Sequence, residues 1–267
     1  MSGSPLAKLV RKIKSRRLRR GLALLKGFPG ALDLHAVACE PEKATIVVLA
    51  PHMDDEVLRC GGTLARHAAA GADIEVVFLT DGRYGGSVAR PGTTRPDPNE
   101  LIAIRKREAH EAMQVLGVRA LNFLDAEDTR LASDTTVAAR LRAVLERVRP
   151  QIVYVPYFLD RHPDHRAANA TLMNATRDSG LQFECRGYEV WTPLVANCLV
   201  RIDETIHLKE QAMRCYASQL AVNDYLHSGI GLNAYRSMGS GMPARFVEAF
   251  FSQPLGEYLR LYAAVCA

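Results

Sequence analysis

Thr45-Ile46-Val47-Val48-Leu49-Ala50-Pro51-His52-Met53-Asp54-Asp55-Glu56 joins a β-branched apolar run to a histidine and three carboxylates, and a helical pattern follows. The run reads as a buried strand and the polar part as its turn into a helix, the place where open α/β sheets bind ligands. His52 and Asp55 stand three apart, so the first helical turn brings both to face the crevice above the strand. They offer one imidazole and one carboxylate, a mixture zinc accepts; a catalytic zinc typically has three protein ligands and a water. The third ligand has to come from elsewhere in the chain. Arg161-His162-Pro163-Asp164-His165 repeats the layout, after the apolar run Ile152-Val153-Tyr154-Val155-Pro156 and before a helical segment over 166–179. Alternatively these are ordinary turn histidines, and Asp54, Asp55 and Glu56 only complement a helix N-terminus, worth about 0.3–1 kcal/mol. Two such motifs at successive strand ends weigh against that.

Outward from this stretch, short β runs alternate with helical stretches, the pattern of βαβ units and a parallel sheet. A helix over 56–70, a strand over 74–79, a helix ending at Leu116 with Gly117 as its cap, a strand over 121–124, a helix over 135–149 and a strand over 151–156 are expected. The Gly- and Pro-rich stretch 83–99 is too long for a plain connection and is expected to rim a pocket. Beyond Gly180 strands are expected over 188–191, 196–202 and 246–251, a helix over 204–219, and a Gly-rich loop over 227–243. There is no Gly-x-Gly-x-x-Gly, P-loop or Gly-x-Ser-x-Gly, so nucleotide-dependent and serine-hydrolase chemistry has no support.

With 267 residues, 48% hydrophobic and 24% charged, one globular domain with a sizeable core is the expectation. The six cysteines have no Cys-x-x-Cys spacing and read as reduced thiols of a cytoplasmic protein. Residues 8–26 carry nine basic side chains and no acidic one, which leaves the rest of the chain at −4 against a total of +5. Leu6, Leu9, Val10, Ile13, Leu18, Leu22 and Leu25 fall on one side of a helix there. Residues 6–26 thus read as an interfacial helix on anionic lipid, a helix docked on the body, or a nucleic-acid-binding arm. The acidic body disfavours nucleic acid as a partner. Residues 1–30 form this segment and its linker, and 31–267 the main domain.

Pro51-His52-Met53-Asp54-Asp55-Glu56, Gly61-Gly62-Thr63-Leu64, Leu79-Thr80-Asp81-Gly82, Arg105 with Glu108, Leu116-Gly117-Val118 and His162-Pro163-Asp164-His165 resemble the zinc-dependent N-deacetylases of the PIG-L / LmbE-like family over about residues 44–180. Met53 stands where that family usually has proline. The resemblance implies a Rossmann-like three-layer α/β fold with a mostly parallel sheet and a metal site at the C-terminal ends of its strands. It implies one Zn2+ per chain on His52, Asp55 and His165, and an N-acetylglucosamine unit of a glycoconjugate as substrate.

Asp54, beside a ligand but not binding the metal itself, fits the general base, and His162 fits the acid and electrophile. Asp164 is expected to orient one of the imidazoles. Arg105 matches an arginine used near the aglycone, or else pairs with Glu108 on a helix surface. Arg83 and Asp128 are further substrate-binding candidates at the rim. A structural zinc would close its shell with a fourth ligand, and Cys60, the nearest cysteine, lies a further turn along, which argues for an open catalytic site. An amidase for a larger acyl group and a catalytically silent sugar-binding protein are the other readings.

Overall fold

The computed structural model describes residues 36–86 and 97–266. The amphipathic segment 6–26, its linker and much of the 83–99 connection lie outside the described residues. The elements are β1 (Val37–Ala38), β2 (Thr45–Ala50), α1 (Asp55–Ala69), β3 (Asp73–Thr80), α2 (Pro98–Leu116), β4 (Ala120–Ala126), α3 (Val137–Val148), β5 (Ile152–Pro156) and α4 (Pro163–Thr176). They continue with β6 (Glu184–Tyr188), β7 (Cys198–Arg201), α5 (Ile206–Cys215), α6 (Ala217–Leu220), α7 (Tyr225–Ser237), β8 (Val247–Pro254) and α8 (Leu255–Cys266).

The strands form one sheet in the order β1-β7-β8-β6-β5-β2-β3-β4. All neighbours are parallel except β8, which runs antiparallel to β6 and β7. Because β2 is covered on both faces it is apolar and buried from Ile46 to Ala50, as parallel strands are. Ile46, Val48 and Ala50 join one core with Val57, Leu64, Met113 and Met213. Val47 and Leu49 join the other with Leu141, Leu145, Leu172 and Leu261. This alternation, with helices on both faces, gives the mixed α/β three-layer architecture. From β2 the chain builds outward through β3 and β4, then returns to lay β5 on the other side of β2. The direction of winding reverses between β2 and β5, which opens a crevice above their C-terminal ends.

The carboxy-terminal third departs from expectation. The strand expected over 188–191 occupies Glu184–Tyr188 instead, and the segment after it turns because Glu189 accepts a bond from the Leu194 amide and pairs with Arg236. The helix expected over 204–219 breaks into α5 and α6 at Tyr216. The stretch 227–243 is largely helix, not loop: α7 is capped by Asp224, and Gly229 lies so close to Met213 that a Cβ would approach its Cε to 2.9 Å. Its glycine serves helix packing. α8 was not anticipated. Nor are all cysteines reduced: parallel pairing of β1 with β7 brings Cys39 beside Cys198, Cα–Cα 5.7 Å, and the two form a disulfide across 159 residues.

Candidate active site

Both histidine motifs leave the sheet at the crevice, one from the end of β2 and one from the end of β5. The β2 turn is tied down by Thr80 at the end of β3, whose backbone N and Oγ1 both donate to the Pro51 carbonyl, at 3.1 and 2.7 Å. Within the turn Asp54 has φ 150°, a conformation L side chains rarely adopt. The surroundings hold its peptide at both ends: Arg105 Nη2 donates to the Met53 carbonyl at 2.7 Å, and the Asp54 amide donates to Glu56 Oε2 at 3.1 Å. Met53 itself is fully buried core. Glu56, which sequence reasoning left without a role, is buried, bonded by Tyr216 Oη, and pushed by burial to a pKa of about 8.

Asp55 Oδ2 lies 3.2 Å from His52 Nδ1 and 3.3 Å from His165 Nε2. Zinc bonds of about 2.0–2.2 Å in a tetrahedron set donor atoms roughly 3.3–3.5 Å apart, close to the spacing that Asp55 Oδ2 keeps to each of the two histidine nitrogens. His165 Nε2 is buried and, despite that closeness, has no aligned hydrogen-bond partner. Its Nδ1 beside Asp160 is unaligned as well, so charge rather than an aligned hydrogen bond holds the ring, and Nε2 stays open to a cation. Two further groups bring one ligand atom from each residue within 4.8 Å of one another: the imidazoles of His52, His162 and His165, and His52 with Asp128 and Asp164.

Around the histidines stand Asp54, Asp55, Asp128, Asp160 and Asp164, each at most 7% exposed. Burial opposes charge on His52, but Asp128, Asp164 and Asp55 outweigh it and raise its pKa well above the ordinary value. Burial likewise opposes charge on His165, yet Asp55 and Asp160 lift it to about 9. Burial works to raise Asp55, but His165 and His52 hold its carboxyl well below the usual range. A pocket this rich in carboxylates gathers positive charge, which a divalent cation supplies.

Asp164 Oδ2 lies 3.3 Å from His52 Nε2 and accepts from the Thr129 amide at 2.8 Å, so it faces the ring nitrogen turned away from Asp55. Asp128 is not at the rim. It is buried with Oδ1 3.3 Å from the same His52 nitrogen, and its pKa falls to about 2 because His52 outweighs the burial. Asp160, unassigned from sequence, has Oδ1 3.3 Å from His165 Nδ1, accepts from the His162 amide at 2.9 Å and through Oδ2 from the Trp191 amide at 2.8 Å. Its role depends on residues 189–192 folding back over the site, which no local pattern announces. Arg83 donates to Asp81 and is not among the residues that line the cleft, although Tyr84, Gly85 and Gly86 directly after it are.

His162 caps α4: its Nδ1 accepts from the Asp164 amide at 3.3 Å. An accepting Nδ1 places the ring proton of the neutral form on Nε2. Burial, then the charges of His52 and His165, lowers its pKa. Asp54 is pushed by burial to about 6, with Arg105 pulling it back. The Arg105–Glu108 surface pair does not exist. Arg105 is 2% exposed, with Nη2 3.3 Å from Asp54 Oδ1 and Nη1 donating to the Gly82 carbonyl, while Glu108 accepts from Ser218. His52, Asp54, His162, Arg105, Trp191 and Tyr225 line one cleft of about 200 Å³. A larger cleft of about 490 Å³ at the other end of the strands, by Thr45, Asp73 and Arg147, includes no histidine in its lining.

Fold and site define a class: α/β proteins with a candidate His/Asp metal centre at the switch point of a mostly parallel sheet. The chain belongs to the PIG-L family, GlcNAc-PI de-N-acetylase, whose description matches residues 47–176. It is 30% identical over 236 residues to the 1D-myo-inositol 2-acetamido-2-deoxy-alpha-D-glucopyranoside deacetylase of Corynebacterium diphtheriae, covering 70% of this chain and 80% of that one. With the diacetylchitobiose deacetylase of Thermococcus kodakarensis it shares 30% identity over 141 residues, 51% of this chain, and it spans only half (50%) of that relative's length. The structure of N,N'-diacetylchitobiose deacetylase from Pyrococcus horikoshii matches with a TM-score of 0.65 at 26% identity, over 79% of this chain and 84% of that one. A 4-oxalmesaconate hydratase of Pseudomonas putida is also 30% identical, over 150 residues and 56% of each chain. Among the described residues no helix is long and apolar enough to cross a membrane.

Proposed function

We propose that the chain is a zinc-dependent N-deacetylase that removes the acetyl group from an N-acetylglucosamine unit of a glycoconjugate, giving acetate and a free amine. The observation that carries this is the placement of a buried, strained carboxylate, Asp54, and an imidazole, His162, in one cleft beside the His52, Asp55 and His165 donor atoms. Zinc held by those three residues would polarise the amide carbonyl and lower the pKa of water. Asp54 takes the proton of the water that adds to the carbonyl carbon, and Arg105 keeps its carboxylate turned to that task. His162 donates from Nε2 to the carbonyl oxygen as charge gathers there. When the C–N bond breaks, the proton that Asp54 took from water passes to the leaving nitrogen, while the water oxygen stays on the acyl carbon, so the products are acetate and a free amine and His162 ends neutral as it began. Asp164, Asp128 and Asp160 keep the two ligand imidazoles oriented.

The hydratase relative favours a second reading, since a base and an acid flanking a cation can also add water across a C=C bond. Acetate release from methyl N-acetylglucosaminide, with consumption of an unsaturated dicarboxylate as the parallel assay, separates them. Acetate release by the zinc-loaded protein supports deacetylation, and turnover of the diacid alone replaces it. We further propose that residues 6–26 contact anionic membrane, which rests on their basic, amphipathic sequence.

A further inference from the structure

We propose that Trp191 and Tyr225 form a subsite for a second pyranose ring, attached to the sugar that bears the amide; this rests on the deacetylase reading above. Trp191 lines the cleft and keeps 39% of its surface exposed, although a tryptophan gains more than any other side chain by being covered. Tyr225, from the first turn of α7, stands with its ring centroid 6.3 Å away at 68°, so the two rings make a corner at the cleft.

The corner is built rather than incidental. The Trp191 amide is fixed by Asp160 Oδ2 at 2.8 Å, the Val190 carbonyl by Arg59 Nη2 at 3.0 Å, and Thr192 Oγ1 accepts from the Arg161 amide at 3.2 Å. The same Asp160 that steadies His165 and His162 therefore holds the aromatic platform in register with the reacting centre. Polar groups are interleaved with the rings. The Arg161 guanidinium lies 5.5 Å from the Trp191 centroid, and Asn223 Nδ2 donates to Tyr225 Oη at 3.0 Å, which leaves the phenol hydrogen as a donor. A pyranose has an apolar C–H face for an aromatic ring and equatorial hydroxyls for such donors. An alkyl chain would use the rings and leave the polar groups idle.

Trp191 is the one tryptophan of the chain, so its emission reports on this corner without any turnover. The zinc-loaded protein is titrated with chitobiose, glucosamine and an octyl glucosaminide, none of which carries an acetyl group to lose. The expected result is a saturable emission change with chitobiose at concentrations where the other two leave the spectrum unchanged. In kinetics, Trp191→Ala should lower the kcat/KM ratio of diacetylchitobiose over methyl N-acetylglucosaminide about tenfold, and Trp191→Phe should restore most of it. An equal response to all three ligands, no response, a larger response to the octyl compound, or an unchanged kinetic ratio overturns the subsite. Absence of acetate release from every substrate would instead remove the deacetylase reading, while the emission titration would still decide whether the corner binds a second ring.

Discussion

At the residue scale the division of labour around Asp54 makes separable predictions. Under the proposed mechanism Asp54 moves a proton without holding the metal, so Asp54→Asn should keep about one zinc per chain and lose roughly 10²–10⁴-fold in kcat. A metal-replete Asp54→Asn protein with near-normal turnover would remove Asp54 from the role of base. His162→Ala should also keep zinc and lose rate mainly in kcat, whereas His165→Ala should lose the metal. Metal analysis of the two variants decides between the His52, Asp55, His165 set and the trio of imidazoles. Arg105→Lys keeps a buried positive charge but cannot reach the Met53 and Gly82 carbonyls and Asp54 together. It should fold, bind zinc and lose about 10² in kcat through a misplaced carboxylate. Full activity in that variant would show that the strained turn holds Asp54 unaided.

At the scale of elements, α1 carries a pH-sensitive anchor far from the chemistry. His67 near its end is fully buried, with Nδ1 2.9 Å from the Glu42 carbonyl and Nε2 3.0 Å from Tyr154 Oη. The carbonyl can only accept, so the neutral ring donates from Nδ1 and accepts at Nε2 from the tyrosine. Burial first, then Arg186 and Arg66, lowers its pKa to about 4, against a bond to Glu42 that favours charge. The unfolded chain therefore binds a proton near pH 6.5 that the folded chain refuses until about 4. This contribution is intact above 6.5 and lost as pH falls from 6.5 through 4, up to about 3 kcal/mol. Urea midpoints of wild type should fall more steeply over that window than those of His67→Gln, and parallel slopes would show that the shift is absent. The strands and helices from β2 to α4 are legible because β-branched runs and amphipathic stretches alternate there, with Gly117 ending α2 in a left-handed cap, whereas the two-residue β1 carries no such pattern. The later elements are not legible either. Gly229 and Gly231 read as loop, yet α7 needs a small side chain at 229 to approach Met213. Of the site, His52, Asp55, His162, Asp164 and His165 could be read from two local motifs. Asp160, Glu56 and the burial of Asp128 could not, because their partners come from segments up to 160 residues away.

At the scale of the whole molecule, a mildly acidic body follows a strongly basic segment, and each is predicted to meet a different partner. Nine basic residues facing an anionic surface gain on the order of 1 kcal/mol each when close to the headgroups, enough for reversible binding once the leucines insert. Cys39, directly after β1, is joined to Cys198 of β7, an anchor that involves none of residues 1–26. Deleting residues 1–26 should thus leave acetate release from methyl N-acetylglucosaminide intact while abolishing sedimentation with phosphatidylserine vesicles. Binding of the full chain should also weaken as salt rises, because the Debye length shrinks from about 10 Å at 0.1 M to about 3 Å at 1 M. If the truncated chain fails to fold, the segment is a helix docked on the body. If the full chain ignores the vesicles at low salt, membrane contact is wrong, and the substrate is to be sought in solution.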